Sequence, residues 1–256
     1  MLPWAVGVTT VPSRAGDLLS RTVASLEEAG FRDLRLFVDG GDGACDMSRI
    51  CASVTTRFPF VGPFGNWYLA LLELYIRQPA VERYAIFQDD LVCVKGLKRY
   101  LDGHKYPDGS DGRKPGYWNL FTFMNSEGLT KPGWQEGPIH SMGIDPEQVW
   151  QCGRGALGLV FNRQAVQLLL SSSSMANKPA SATNPRVNID GAVVAAMNLA
   201  GWREYVHNPS LLSHTGMHTS IQEPGKVGKV WTTNAKSFPG EMVDITRLMA
   251  ASQAQK

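Results

Sequence analysis

Short apolar runs alternate with segments of helical periodicity along the first part of the chain. Residues 4–9, 34–38 and 84–88 are apolar runs of strand length. Between them, apolar side chains recur every three or four positions, as on one face of a helix. They are Leu18, Leu19, Val23 and Leu26 in the first segment, and Leu69, Leu72, Tyr75 and Ile76 in the second. This strand–helix–strand alternation predicts a mostly parallel sheet with right-handed crossovers.

The pattern is less regular in the second half of the chain. Residues 117–123 and 155–161 predict strands, and residues 163–170 and 190–199 predict helices. Residues 104–116 are rich in Pro, Gly, Asp and Lys, which predicts an exposed loop.

The length of the chain, 256 residues, suffices for one large α/β domain or two small ones. We expect a single α/β domain over residues 1–256, with a mostly parallel central sheet flanked by helices. Within it, residues 1–100 form the regular half, residues 101–221 form a more irregular half, and residues 222–256 form a tail.

Charge and cysteine usage narrow the class of protein. The formal net charge is +2 and no basic block stands out, so bulk charge does not favour nucleic acid as a partner. The cysteines show neither zinc-site spacing nor a disulfide framework, and unpaired cysteines suit a reducing compartment. They are Cys45, Cys51, Cys93 and Cys152. No leader precedes the first strand and no apolar run approaches membrane-spanning length, so we expect a cytoplasmic protein or a trimmed chain.

Polar side chains follow three of the predicted strands. Thr9 ends the first strand, Asp39 ends the second, and the third runs into the adjacent pair Asp89 and Asp90. In open α/β sheets, ligands lie at the carboxyl ends of the strands. Mg²⁺ is usually held there by one or two protein carboxylates together with phosphate oxygens. Acidic pairs also occur in solvated turns, so the pair alone leaves both interpretations open.

The segments after the first two strands predict contacts with a nucleotide. A carboxylate at Asp39 could accept the imide proton of uracil, and Arg14 could face a base or a phosphate. Ordinary turn chemistry is the alternative, because Asp-Gly is a common turn pair. Neither GxGxxG nor GxxxxGK[ST] is present, so neither a dinucleotide-binding oxidoreductase nor a P-loop enzyme is favoured.

A metal at the acidic pair would need a further ligand. Asp90 is the better direct ligand, and Asp89 is placed to hold a metal-bound water or the ribose. His214 is the candidate third group, because imidazole with carboxylate and phosphate oxygens suits Mn²⁺ better than Ca²⁺. A structural histidine bonded to the backbone is the alternative.

Two further residues are candidates for the chemistry itself. Asp190 falls in the first turn of its predicted helix, where apolar neighbours would raise its pKa and let it accept a hydroxyl proton. An acid at this position also suits the helix dipole, and the two interpretations are compatible. Gly155 belongs to a run of small residues at 152–158 that would allow a sugar ring to approach the backbone, or a strand to pack tightly on a helix.

Taken in order, these pieces resemble the nucleotide-diphospho-sugar glycosyltransferases of the GT-A fold, which is Rossmann-like. The triplet at 88–90, Gln-Asp-Asp, resembles the acidic DXD metal motif of that family, with glutamine in place of the first acid. The segment at 209–220, PSLLSHTGMHTS, is similar to a stretch in enzymes of the N-acetylglucosaminyltransferase IV type. The resemblance extends over residues 4–221 by motif order and also includes related bacterial and phage glycosyltransferases.

The resemblance implies an inverting transfer from a nucleotide-diphospho-sugar, UDP-linked, with Mn²⁺ or Mg²⁺ as cofactor. It implies that His214 binds the metal or the diphosphate and that Asp190 matches the catalytic aspartate of the inverting members. Lys226 or Lys229, on a tail that closes over the site, would add positive charge near the diphosphate. The nucleotide sugar would then bind to the regular half, and the acceptor to the irregular half.

The acceptor and two rival functions stay open. A nucleotidyltransferase that makes a nucleotide sugar usually carries a glycine-rich loop after the first strand, and residues 8–14 lack those glycines. A catalytically idle binding protein on the same fold is the other rival. The acceptor is a modified DNA, a glycan or a small molecule. A hydroxymethylated base of phage DNA would need a local cationic groove, for which the candidates are Lys95, Lys98, Arg99, Lys105, Arg113 and Lys114. The alternative for these six is a solvated face.

Overall fold

The computed structural model describes residues 2–41, 47–122, 129, 131–137, 139–141, 149–151, 155–176, 189–215 and 235–254. Every element named below lies within these ranges.

The described strands are twelve in number and form one large sheet and two small ladders. In chain order they are β1 Trp4–Thr10, β2 Arg35–Asp39, β3 Ser53–Arg57, β4 Arg83–Gln88, β5 Leu91–Cys93, β6 Gly116–Asn119, β7 Gly133–Glu136, β8 Ile139–Ser141, β9 Val149–Gln151, β10 Gly158–Phe161, β11 Arg203–Asn208 and β12 Leu212–His214. The large sheet has eight strands in the order β3-β2-β1-β4-β10-β6-β11-β7. The ladders pair β12 with β5 and β8 with β9.

The large sheet is mostly parallel. Strands β3, β2, β1 and β4 run parallel to one another, and β11 runs parallel to β6. Strand β10 is antiparallel to both of its neighbours, β4 and β6, and β7 is antiparallel to β11. All strands except β10 and β7 therefore point the same way, which confirms the expected sheet.

Helices cover both faces of the sheet. They are α1 Leu18–Glu28, α2 Gly62–Arg77, α3 Leu97–Asp102, α4 Arg163–Ser171, α5 Ser173–Ala176, α6 Ile189–Leu199 and α7 Ile245–Ala254. Alternate strand residues enter different apolar clusters: Val6 and Val8 pack with α1 and α3, whereas Ala5 packs with α2, α4 and α6. This division follows from the period of two along a strand, and it confirms an α/β fold with helices on both faces.

The elements of the first half confirm the predicted alternation, and two of the strands that were not predicted, β3 and β11, have polar sequences. The edge strand β3 reads SVTTR and is only partly buried, so it lacks an apolar run. Strand β11 reads REYVHN, and its buried positions include Glu204 and His207. Within the exposed loop 104–116, Tyr106 is buried and its hydroxyl donates to the Val160 carbonyl over 3.4 Å. In the described part of the chain, no helix is both long and apolar enough to cross a membrane.

Candidate active site

The carboxyl ends of β1, β2 and β4 meet at one edge of the sheet. Thr9 pairs in register with Phe37 and Gln88, which brings the ends of these three parallel strands side by side. The Thr9 hydroxyl donates to the Phe87 carbonyl over 3.3 Å, so it stays within the sheet. The hydroxyl that reaches the acidic pair belongs to Thr10, which donates to Asp89 Oδ2 over 2.5 Å. The sequence pattern predicted Thr9 as the site residue, whereas the contact with Asp89 is made by its neighbour Thr10.

Arg14 is the counter-ion of the acidic pair. It ends a short 3₁₀ turn, Pro12–Arg14, that follows β1. Its Nη1 lies 2.6 Å from Asp89 Oδ1 and 2.6 Å from Asp90 Oδ2. Burial works to lower the pKa of Arg14, but the charges of the two carboxylates outweigh it and raise that pKa. Arg14 is therefore a fixed positive charge at the carboxyl end of β4.

The pKa values of the two carboxylates shift in opposite directions. Burial raises the pKa of Asp89, although the charge of Arg14 and the Thr10 hydroxyl work against it. Burial also acts to raise the pKa of Asp90, but the hydrogen bond and charge of His214, followed by the charge of Arg14, lower it overall. Asp90 is thus the carboxylate held in its charged form, as a metal ligand must be.

Strand β12 brings His214 to Asp90. It pairs antiparallel with β5, and His214 faces Leu91 in register, directly after the acidic pair. His214 Nε2 lies 3.1 Å from Asp90 Oδ2. The Thr215 amide donates to the Asp90 backbone carbonyl over 2.8 Å, which holds the end of β12 in place. Residues 124 positions apart in the sequence, Asp90 and His214, therefore share one site.

The donor atoms at this site fit a small divalent cation. Two ligands at right angles in an octahedron, each about 2.1 Å from the ion, are about 3.0 Å apart. The 3.1 Å between His214 Nε2 and Asp90 Oδ2 matches that spacing. Three further polar atoms are buried there without a hydrogen-bond partner among the described residues, Asp90 Oδ1, His214 Nδ1 and Thr215 Oγ1. No group of three or more His, Cys, Asp or Glu side chains able to hold a metal occurs in the described ranges.

Asp39 and an aromatic loop form the other end of this edge. Asp39 is buried, its Oδ1 accepts from the Val61 amide over 2.9 Å, and its Oδ2 has no partner among the residues described. Burial raises the pKa of Asp39, against the effect of the Val61 amide. Phe60 packs on Gly40, whose φ is +79° and where an added Cβ would lie 3.2 Å from the Phe60 ring. Phe58 is 77% exposed and Phe60 is 38% exposed. Neither ring was predicted from the sequence, although the two aromatic residues on either side of Pro59 could have indicated a stacking site.

Asp190 and Gly155 contact each other. Asp190 lies in the first turn of α6, where its Oδ2 accepts from the Gly155 amide and its Oδ1 accepts from the Gly191 amide over 3.1 Å. Burial raises the pKa of Asp190, although these amides work against it. Gly155 has φ +83°, and an added Cβ would lie 2.7 Å from the Phe121 ring, so only glycine fits.

The residues at the start of strand β10 bring the contact between Gly155 and Asp190 close to the acidic pair. Gly158, three residues after Gly155, pairs with Phe87 of β4. The Gln88 amide donates to the Leu157 carbonyl over 2.9 Å. The segment that holds Asp190 therefore runs alongside the last residues of β4, directly before the acidic pair.

A buried carboxylate behind Asp190 was not predicted. Glu204 of β11 accepts hydrogen bonds at Oε1 from the Tyr117 hydroxyl and from Asn119 Nδ2, both over 3.0 Å. Burial raises the pKa of Glu204 to about 7. A glutamate between an arginine and a tyrosine in a polar stretch gives no sequence signal of this environment.

The remaining predicted residues are Lys226 and the six cations proposed for a DNA groove. Lys226 lies outside the described residues. Of the six cations proposed for a DNA groove, three pair with carboxylates of this chain. Lys98 lies 2.7 Å from Asp102, Arg99 lies 2.8 Å from Asp244, and Arg113 lies 2.6 Å from Asp111. Arg99 and Arg113 are exposed, which favours the solvated-face interpretation for these two, whereas Lys98 is buried.

Comparisons with known proteins give fold-level likenesses of low score. No protein-family model matches the sequence, and neither does any curated protein. The crystal structure of TarS from S. aureus has a TM-score of 0.48 and 12% identity, and the match covers 84% of this chain and 37% of that chain. This chain therefore spans little more than a third of TarS.

Two further solved structures match over most of their own length. A nucleoside-diphosphate-sugar pyrophosphorylase from Vibrio cholerae RC9 has a TM-score of 0.44 and 10% identity, with 83% of this chain and 95% of that chain covered. The UTP-bound UGPase from Acinetobacter baumannii has a TM-score of 0.45 and 11% identity, with 83% and 89% covered. At these scores and identities, none of the three decides the activity.

Proposed function

We propose that the protein is a metal-dependent, inverting glycosyltransferase that moves a sugar from a UDP-linked donor to an acceptor hydroxyl. The observation that carries the proposal is the pairing of Asp90 with His214 over 3.1 Å at the carboxyl end of β4. A carboxylate and an imidazole from distant parts of the chain meet there beside Arg14, and Asp190 of α6 contacts Gly155, three residues before the adjacent β10. This arrangement supplies a place for a diphosphate and a base at one edge of one sheet.

The nucleotide would bind along the ends of β1, β2 and β4. Asp39 offers a carboxylate oxygen without a partner among the described residues, which suits the imide N–H of uracil. The Phe60 ring next to it, on Gly40, offers a face on which a base can stack. Arg14 lies close enough to the acidic pair to exchange its carboxylate contacts for phosphate oxygens, and Asp89 would hold the ribose or a metal-bound water.

Asp90 and His214 would hold Mn²⁺ or Mg²⁺, with Lys226 as a further positive charge. When bound, the ion would neutralise the charge that develops on the leaving diphosphate. In the metal-free site, His214 and Arg14 lower the pKa of Asp90 against the effect of burial, so Asp90 is already ionised when an ion arrives. Thr10 and Thr215 hold the two carboxylate-bearing positions in place, through Asp89 Oδ2 and the Asp90 carbonyl.

Asp190 would act as the general base. The acceptor oxygen forms a bond to the anomeric carbon while the bond from that carbon to the phosphate oxygen breaks. The electron pair leaves with the nucleoside diphosphate, and the hydroxyl proton goes to the Asp190 carboxylate. A raised pKa makes this carboxylate a better proton acceptor, and the single displacement inverts the anomeric centre.

The decisive variant is Asp190→Asn. We expect it to bind UDP and Mn²⁺ like the wild type and to lose transfer by about 10²- to 10⁴-fold, because removal of a general base costs that much. Binding is measured by isothermal titration with UDP and Mn²⁺, and transfer is measured with a panel of UDP-sugars. EDTA should abolish transfer and Mn²⁺ should restore it.

The matched control is Asp244→Asn. Asp244 also lies at a helix N-terminus, directly before α7, where it accepts from the Thr246 amide over 3.0 Å. It pairs with Arg99 and has no described contact with the residues proposed for the metal, the nucleotide or the base. Transfer in this control should stay within about twofold of the wild type. Full transfer by Asp190→Asn, or full transfer in EDTA, would contradict the assignment of the base or of the metal.

The acceptor panel should contain DNA with hydroxymethylated bases, glycans, lipid carriers, peptides and small alcohols. The same assays separate the two rivals. A nucleotidyltransferase would release pyrophosphate from UTP and a sugar phosphate, and an idle binding protein would bind UDP without turnover of any donor. Transfer to one acceptor class, with inversion seen by NMR, would identify the reaction.

A further inference from the structure

The side-chain hydroxyl of Thr215 is buried directly after strand β12. Its Oγ1 has no hydrogen-bond partner among the described residues. The proposed function above uses only the backbone amide of this residue. A buried hydroxyl costs stability unless a hydrogen bond or an ion satisfies it, and one left without a partner calls for an explanation. A ligand that binds to this edge of the sheet is the explanation that the surroundings of Thr215 support.

The register of the ladder between β12 and β5 places Thr215 opposite Asp90. His214 pairs with Leu91, so the next step of the same antiparallel register pairs Thr215 with Asp90. The Thr215 amide donates to the Asp90 carbonyl over 2.8 Å, which agrees with that step. Directly opposed residues of antiparallel strands have their Cβ atoms about 4.5 to 5.5 Å apart on the same face. The Thr215 hydroxyl is therefore within reach of an ion bound by the Asp90 carboxylate.

One oxygen of the Asp90 carboxylate is also unsatisfied. Its Oδ2 lies 2.6 Å from Arg14 Nη1 and 3.1 Å from His214 Nε2, whereas its Oδ1 is buried without a hydrogen-bond partner. The Thr215 hydroxyl does not donate to Oδ1, because both atoms lack a partner. A cation would satisfy both at once, since carboxylate and hydroxyl oxygens each have lone pairs to share with it. An anion would not, because an ionised carboxylate has no proton to donate.

We propose that Thr215 Oγ1 is a third protein ligand of the divalent cation, beside Asp90 and His214. This inference rests on the proposed function, because it completes the metal site assigned there. Serine and threonine hydroxyls bind Mg²⁺ in other phosphate-binding sites. A second oxygen ligand favours Mg²⁺ and Mn²⁺ over ions that prefer sulfur. The backbone bond to Asp90 already holds Thr215 in place, so the hydroxyl needs little rearrangement to bind the ion.

Thr215→Val tests the ligand, because valine keeps the branched shape and lacks the hydroxyl. Binding of Mn²⁺ is measured by EPR titration without donor or acceptor. We expect the affinity of Thr215→Val for Mn²⁺ to fall by about 10- to 100-fold, as it does when groups around a metal are removed. Thr215→Ser keeps a hydroxyl and should bind Mn²⁺ within about threefold of the wild type.

Thermal unfolding separates metal binding from a purely structural role of the same side chain. In EDTA, the Tm of Thr215→Val should equal or exceed that of the wild type, because this variant no longer buries a hydroxyl without a partner. In Mn²⁺, the increase of Tm should be smaller than in the wild type, because the ion binds more weakly. A residue that only supports the fold would instead lower Tm in both conditions.

Thr215→Cys tests direct contact with the ion and also serves if Thr215→Val does not fold. A thiolate at this position should favour Zn²⁺ and Co²⁺ over Mn²⁺, because sulfur is a softer ligand than oxygen. With Co²⁺, a sulfur-to-metal charge-transfer absorption in the near ultraviolet should appear only when the thiolate bonds the ion. The wild type, which has four cysteines, gives the background for this measurement.

Ser213 supplies the matched controls. It lies on β12 two residues before Thr215 and pairs with Val92 rather than with a carboxylate. Ser213→Ala should bind Mn²⁺ like the wild type. Ser213→Cys should show no charge-transfer absorption beyond the wild-type background.

The outcomes separate this inference from the proposed function. A wild type that binds no Mn²⁺ would overturn the metal site itself. Binding by the wild type with unchanged affinity in Thr215→Val, or the absence of the absorption in Thr215→Cys, overturns Thr215 as a ligand and leaves Asp90 and His214 in place. Weaker Mn²⁺ binding by Thr215→Val, together with that absorption, supports the inference.

Discussion

Arg14 shows how one side chain can serve two states of a site. Its Nη1 bonds both acidic carboxylates, and the Asp90 oxygen that it contacts is also the one that faces His214. A cation bound between Asp90 and His214 would compete with the guanidinium for that oxygen. Arg14 is therefore expected to neutralise the pair when no metal is present and to contact phosphate when donor and metal are bound.

Arg14→Gln tests this competition. Without the guanidinium, two adjacent buried carboxylates repel each other, so we expect the free energy of unfolding in EDTA to fall by about 3 kcal/mol or more. Mn²⁺ should restore part of it, and EPR titration without donor should show Mn²⁺ binding about tenfold tighter than in the wild type, since the competing charge is gone. Arg21→Gln removes an exposed ion pair with Glu241 and should change neither quantity. Unchanged Mn²⁺ binding by Arg14→Gln would show that the guanidinium and the ion do not compete.

Strand β11 shows why some elements cannot be predicted from the pattern of apolar and polar residues. Its buried positions carry Glu204 and His207 where apolar residues are expected, and each is satisfied by a specific partner. His207 Nε2 lies 2.6 Å from the Tyr100 hydroxyl, and its Nδ1 lies 2.6 Å from the Pro209 carbonyl, which fixes a neutral imidazole. These partners come from distant segments, so alternation of apolar and polar residues cannot reveal them.

The two buried groups of β11 give opposite dependences of stability on pH. Burial lowers the pKa of His207 to about 4 from 6.5, so its contribution is present above pH 6.5 and is lost as the pH falls towards 4. Burial raises the pKa of Glu204 to about 7 from 4.5, so the folded state binds the extra proton and loses stability as the pH rises from 4.5 to 7. Each dependence amounts to about 3 kcal/mol, and between these limits they largely cancel.

Glu204→Gln should therefore reveal the pH dependence of stability that comes from His207. We expect the free energy of unfolding of this variant, measured by urea at a series of pH values, to rise by about 3 kcal/mol between pH 4 and pH 7, more steeply than in the wild type. Glu136→Gln should follow the wild type. Parallel curves for Glu204→Gln and the wild type would show that Glu204 ionises in the folded state as it does in the unfolded chain.

At the scale of the whole molecule, the first half was predictable because each buried strand there is a continuous apolar run. Asp39 and the acidic pair were predictable for the same reason, since they end such runs. Thr10, Phe60 and Glu204 were not, because their importance comes from contacts between strands that the sequence does not place side by side. The position of His214 depends on β12 pairing with β5, a ladder of three residues per strand that periodicity cannot detect.

The site joins the two halves of the chain, and this predicts a linkage between ligand binding and global stability. Arg14 and Asp90 come from the first half and His214 from the second, so UDP with Mn²⁺ would bind only when both are folded. Ligand at about 100 times its Kd adds about 2.7 kcal/mol, which for a chain of this size raises Tm by about 5 to 10 °C. We expect this shift in differential scanning calorimetry with UDP and Mn²⁺ together, and a smaller one with UDP alone. His214→Ala should lose the Mn²⁺-dependent part, whereas His104→Ala, whose ring packs on Tyr100, should keep it. A full shift in His214→Ala would remove His214 from the metal site and leave Asp90 to bind the ion without it.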